Sequence, residues 1–428
     1  MTSGSTAVLA HGLGGSTDLP IPYTYALIGA AWTLTFTFAV VALAWRRPRF
    51  DPDKPGLPLP PWATATIDSA VTRWGVGLLS LAFTGWVAYT AITRPADANP
   101  LPGVFYVLLW VGLVAASVLF GPVWRLISPV RALHRFLPVP PLRRYPERLG
   151  YWPAVAGLFA FVWLELASPD PGSVAAIGNW LLVYLVVTLA GAVCCGPRWL
   201  ESADPFEVYS TTVSKLSPLR RHDGRFVLGN PFDHLPSVPV RPGLVAVLAV
   251  LLGSTAFDSF SAMPQWRNFV DAHSGSPLGA SLIRTAGLLV FAGTVALTFW
   301  AATRTTGGVD RRLRRELPGL MAHSLIPIVI GYVFAHYLSY LVERGQQTLI
   351  LLFGLQDVQV SYVLSAHPTL LATLKVGLVL AGHVAGVIAA HDRALRLLPK
   401  QHQLTGQLAT MLVMVGYTFT GLYLLFGG

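Results

Sequence analysis

The chain has 428 residues, 53% of them hydrophobic and only 12% charged, with a mean hydropathy of +0.56. Soluble globular chains carry about 25% charged residues, so this composition excludes a soluble domain and describes a polytopic membrane protein. The formal charge of +10 does not mark a nucleic-acid-binding protein, because the basic residues lie in short loops between apolar runs and not in one stripe.

The N-terminal stretch MTSGSTAVLAHGLGG has neither a basic n-region nor a long apolar h-region. The expectation is therefore an uncleaved outer segment, 1–20, with the first span acting as insertion signal. A bilayer core takes about 20 apolar residues per helix. Runs of that length predict ten spans: 21–45, 74–93, 103–122, 150–167, 174–195, 242–262, 281–303, 319–342, 369–391 and 407–426. They must be helices, since backbone in lipid has to bond to itself. Cys194 and Cys195 are adjacent at the end of the fifth span and fit no disulfide or zinc spacing, so they read as packing residues. Pro327, inside the eighth span, predicts a kink that frees the His323 carbonyl.

Two loop segments are long enough to do more than connect. Segment 123–149 mixes Trp124, Leu126, Ile127, Leu133 and Phe136 with arginines, the pattern of an interfacial amphipathic stretch. Segment 196–241 has a helix start at Asp204-Pro205 and predicts another surface helix. Between the eighth and ninth spans, 343–368 is too apolar for a plain loop and predicts an interfacial segment or a lid. Trp124, Trp152, Trp163, Trp266 and Tyr337 read as interface anchors.

Placing both termini outside puts 25 of the 30 Lys and Arg residues in inner loops. Only Arg94, Arg267, Arg284, Arg344 and Lys375 are left for the outer side, a bias that sets this orientation. The fold expected is an all-α polytopic helix bundle in the cell membrane, with about ten transmembrane helices and both termini outside.

Three apolar runs carry ionisable groups. They are AVAGLFAFVWLEL with Glu165, AVLAVLLGSTAFDSF with Asp258, and HSLIPIVIGYVFAHYLSYL with His323 and His336. Such groups are costly in lipid and normally face a bundle interior or a wet cavity. Counted from the inner end of each span at about 1.5 Å per residue, Glu165, Asp258, His336 and Lys375 share one depth in the outer leaflet. His383 lies lower, on a helical face it shares with His391.

Histidine and carboxylate side chains at one depth could hold a divalent metal ion, Zn or Cu, which would activate water for hydrolysis. The expected set is Asp258, His336 and His383 as ligands. Glu165 would act as orienting group or base, and Arg284 or Lys375 would neutralise an anionic transition state. His11, Asp18, His273 and His367 could add ligands from the outer side. His383 and His391 could alternatively be axial ligands of haem b, a reading weakened by the lack of a matching histidine pair. Structural readings stand beside these. Asp258 could cap a helix end near Met263-Pro264, Glu165 could pair with Arg284 or Lys375, and His336 could be a lone interhelical hydrogen-bonder.

The segments AHGLGGSTDLPIP, FGPVWRLISPVRALHR, RYPERLGYWPAVAGLFAFVWLELASP, GSTAFDSFS, HSLIPIVIGYVFAHYLSYLVERGQ and GHVAGVIAAHDRAL together resemble a family of bacterial, mainly actinobacterial, multi-pass membrane proteins commonly labelled fenitrothion hydrolase. The resemblance covers nearly the whole chain. It implies an integral membrane protein that hydrolyses an aryl phosphorothioate triester, and it carries no catalytic residues over. The expected partners are membrane lipids and a small hydrophobic substrate such as a phosphoester. The rival readings are a transporter or proton/cation relay, and a copper- or haem-handling redox component.

Overall fold

The apolar runs form helices because backbone in lipid must bond to itself. The computed structural model describes residues 18–136, 140–355 and 357–427. Numbered in chain order, the principal helices begin with α1 (Tyr23–Ala44), α2 (Ala70–Thr93) and α3 (Ala96–Phe120). Then come α4 (Trp152–Leu166), α5 (Val174–Cys195), α6 (Pro205–Val213) and α7 (Leu244–Ser261). The chain closes with α8 (Pro277–Arg304), α9 (Arg311–Phe353), α10 (Pro368–Leu397) and α11 (Leu408–Phe426).

Among the described residues, nine helical segments are long and apolar enough to cross a membrane. The protein is thus an all-α, multi-pass membrane bundle. Nine of the ten expected spans coincide with these segments. The other, at 150–167, is the 15-residue helix α4. At about 1.5 Å per residue that is about 22 Å, short of a hydrocarbon core of about 30 Å. It starts late because Gly150, at φ +49°, turns the chain so that Tyr151 N–H donates to the Pro242 carbonyl. It ends at Leu166, where the N–H groups of Ala167 and Ser168 both turn to the Trp163 carbonyl.

One expectation about helix shape is refined and one is corrected. The helical ladder changes next to Pro327: the chain makes a 3-10 turn at Ala322–Ser324 and restarts an α-helix at Leu325, so Pro327 falls in a first turn, where a missing N–H is tolerated. The expected surface helix after Asp204 is α6, and it is buried along nearly its whole length, packed against α3 and α4. Its start was legible: the Asp204 carboxylate accepts the N–H groups of Phe206 and Glu207, a standard cap.

The eighth span runs on as helix through a π-helical turn at Tyr340–Arg344 to Phe353, where Gly354 at φ +66° ends it. The returning loop is tied down by buried Glu343, whose carboxylate takes the Ser365 N–H at 2.8 Å and the Ser365 hydroxyl at 2.5 Å. Outside the helices, a small antiparallel sheet joins the loops in the order β1 (Leu57–Pro58), β3 (Arg225–Leu228), β2 (Leu219–His222). Its hairpin turns at Asp223-Gly224, both with positive φ, as a tight turn of this kind requires.

The interior is organised around α7, α9 and α10. α9 lies against α10 so closely that a Cβ on Gly382 would sit 2.6 Å from the Pro327 carbonyl oxygen, and one on Gly331 would sit 2.6 Å from that of Leu378. Small residues at helix crossings let backbones approach in this way, which is the main route to association where the solvent is itself apolar. Gly377, on the same helix, has open space around it. We expect Gly382→Ala to destabilise the protein by about 1–3 kcal/mol through overpacking, while Gly377→Ala holds or raises stability through helix propensity. Thermal unfolding of the two variants in detergent checks this; equal melting temperatures would refute the close-packing account.

Candidate functional site

The centre of the bundle holds one polar cluster, built from three helices. α7 carries Asp258 three residues before its end, with Ser259 beside it; α9 supplies His336 and Tyr337; α4 brings Glu165 next to its last residue. Asp258, Ser259, His336 and Tyr337 are all buried. Glu165 is half-buried as a residue, but both of its carboxylate oxygens are shut off from solvent.

The geometry is a chain of short contacts. Asp258 Oδ2 lies 3.0 Å from His336 Nε2 and accepts the Tyr337 hydroxyl at 2.7 Å. On the other side of the imidazole, His336 Nδ1 lies 3.1 Å from Ser259 Oγ, which lies 3.1 Å from the Tyr332 hydroxyl. Tyr332 reaches the Gly421 carbonyl of α11 at 3.4 Å. If His336 carries its proton on Nε2, every donor in this run points toward the Asp258 carboxylate: Tyr332 to Ser259, Ser259 to Nδ1, Nε2–H to Oδ2. Glu165 is within electrostatic reach of Asp258, Tyr106, Tyr209, Tyr337 and Tyr340. Two carboxylates and a set of phenols therefore share one low-dielectric space.

Of the expected site residues, the structure brings together Asp258 and His336, with Glu165 adjacent. Glu165 and Asp258 sit near the C-terminal ends of α4 and α7, at the level where His336 passes on α9. His383 is buried on α10 and bonds within its own helix, Nδ1 to the Val379 carbonyl at 2.8 Å. Arg284 is half-buried on α8, next to Thr285, which accepts the Trp163 indole N–H at 2.8 Å. Lys375 is fully buried on α10, and the charge in its reach is Asp18. His11 lies outside the described residues, while His273 and His367 bond to carbonyls four residues before them and are exposed. His391 ties α10 to its neighbours, Nδ1 at 3.0 Å from Gln407 Oε1 and Nε2 at 3.0 Å from the Trp45 carbonyl. His323 sits in the 3-10 turn with Nδ1 3.2 Å from the Leu320 carbonyl.

Among the described residues no group of three or more His, Cys, Asp and Glu side chains forms a metal-binding set. Asp258 and His336 supply two donors, but they are spent on each other. An ion between them would have to replace the hydrogen bond that now joins them.

Sequence reasoning read Tyr337 as an interface anchor, but it is a buried member of the cluster. The same reading of Trp124 fails: it is buried, and its indole N–H donates to Asp204 Oδ2 at 3.1 Å. Asp204 anchors a second polar cluster, accepting also the Tyr184 hydroxyl at 3.1 Å. Beside it, buried Glu207 is held by Arg131 at 2.7 Å and Arg125 at 3.2 Å. The signal for Tyr337 was available in principle, since it directly follows His336. Nothing in the sequence marked Asp204 as more than a cap.

No family model matches the sequence, and no curated protein or solved structure matches it either.

Burial, followed by the nearby charge of Glu207, pushes the Asp204 carboxyl up from 3.8 to about 7, against the lowering effect of its hydrogen bonds. A carboxyl raised on folding binds more protons folded than unfolded between those values, so its contribution makes stability fall as pH rises from 3.8 toward about 7 and flatten above. We expect Asp204→Asn, which keeps a capping oxygen, to remove that slope. Melting temperatures across the window check this; parallel curves for the two proteins would refute it.

Proposed function

We propose that this protein is a proton-handling membrane protein of the transporter class, in which Asp258, His336 and Glu165 take up and pass protons within the bundle. The observation that carries the reading is the continuous run Tyr337–Asp258–His336–Ser259–Tyr332, with contacts of 2.7, 3.0, 3.1 and 3.1 Å. Buried acids and histidines in contact across spans are the usual elements of proton relays. Histidine suits the central place, because it can accept on one ring nitrogen while donating from the other. Serine and tyrosine hydroxyls can do the same by rotating.

The hydrolase implied by the resemblance, with Zn or Cu on Asp258, His336 and His383, would use the same residues differently. It needs His383 to join the pair and the Asp258–His336 contact to open. A copper- or haem-handling role has less support, since both ring nitrogens of His391 are engaged.

The test uses the purified full chain in proteoliposomes with a trapped pH dye. An imposed gradient or membrane potential should drive proton flux that Asp258→Asn lowers by at least about tenfold, with His336→Gln behaving alike. Undiminished flux in Asp258→Asn would overturn the relay. A stoichiometric metal that Asp258→Ala removes, together with turnover of a phosphotriester, would overturn it in favour of the hydrolase.

A further inference from the structure

A cavity of about 460 Å³ opens between α7, α8, α9, α10 and α11. That is within the size range of sites for small organic ligands. Its wall is almost wholly apolar, and its outer part includes Val290 of α8, which is exposed. α8 and α11 present further exposed apolar side chains, Leu289, Leu412 and Phe419. Such a surface faces acyl chains, so the cavity is entered sideways from the lipid.

Its two tyrosines are hydrogen-bonded. Tyr417 donates to the Val295 carbonyl at 3.0 Å and lies 2.6 Å from Thr298 Oγ1; Tyr332 is held by Ser259 and Gly421. His383 is bonded on one side of its ring alone. It is 1% exposed and part of the cavity wall, and its Nε2 has no hydrogen-bond partner among the described residues. The tautomer follows from the other nitrogen. A carbonyl can only accept, so the 2.8 Å contact to Val379 places the proton on Nδ1 and leaves a lone pair on Nε2. A buried acceptor left without a donor is unfavourable, and here it belongs to a ring that lines a space able to hold a guest.

We propose that this cavity binds the hydroxyl-bearing end of a neutral, lipid-soluble alcohol, with its O–H donated to His383 Nε2 and its hydrocarbon part against Phe291, Val295 and Leu424. An anion finds no cationic side chain in the wall, and an ether or ester has no hydrogen to give. The inference stands apart from the proton relay. It concerns binding alone, and the two can fail separately even though Tyr332 belongs to both.

The experiment is photolabelling of the full-length protein in lipid nanodiscs with a diazirine-bearing hexadecanol and with its methyl ether, read by peptide mass spectrometry. The alcohol should label α8 and α11 peptides several-fold more than the ether. His383→Phe should abolish that preference while leaving ether labelling in place. Gly416→Leu fills the cavity from a wall position where a Cβ meets nothing within 4 Å, and it should lower labelling by both probes. Equal labelling of the native protein by alcohol and ether would overturn the proposal, as would a preference that survives His383→Phe. The comparison of the two probes on the native protein stands even if His383→Phe does not fold.

Discussion

A carboxylate placed inside a helix bundle that is itself surrounded by lipid has no water to fall back on, so protein groups must meet its hydrogen-bonding needs. Asp258 meets this condition through Tyr337 and His336, two consecutive residues of one helix that converge on a single oxygen. Their convergence requires α7 and α9 to stand at a set height and rotation relative to each other. The remaining contacts, to Ser259, Tyr332 and α11, extend from that alignment. The polar centre and the packing of the core helices are thus one problem with one solution.

The glycine contact between α9 and α10 serves the same end from the other side. Gly331 against Gly382 brings the two backbones close, and dispersion over that surface does the work the hydrophobic effect does in water. It also places His383 and Tyr332 in the wall of one cavity. The polar run through Asp258 and the lateral cavity accordingly share a side chain: the Tyr332 hydroxyl is turned to Ser259, and His383, bonded through Nδ1 to the Val379 carbonyl, stands in the same cavity wall.

At the other end of the bundle, α6 shows how charge is accommodated away from the spans. Glu207 is buried, yet two arginines from the short helices that follow α3 reach it. Asp204 is buried with neutral donors for company, Trp124 and Tyr184, beside its own helix N–H groups. The different partners have different consequences. Arginine brings an opposite charge to a buried carboxylate, whereas indole and phenol donors only partly offset the loss of water.

Hydropathy alone determined the membrane class, the helices and their approximate limits, because a bilayer imposes one length and one secondary structure on any apolar run. Counting residues along those helices was enough to place Glu165, Asp258 and His336 in one layer, since rise per residue is constant. Depth is only one coordinate. Which face of each helix turns inward, and so whether His383 joins Asp258 or borders a cavity, depends on rotation about the helix axis, and that is decided by packing. The same holds for Pro327, whose effect depends on where the helix restarts, and for α6, whose polar sequence resembled a surface helix until Arg125, Arg131, Trp124 and Tyr184 were seen to enclose it. Periodicity and composition are properties of one segment. The partners of a buried polar group are properties of several, and only the tertiary structure brings them together.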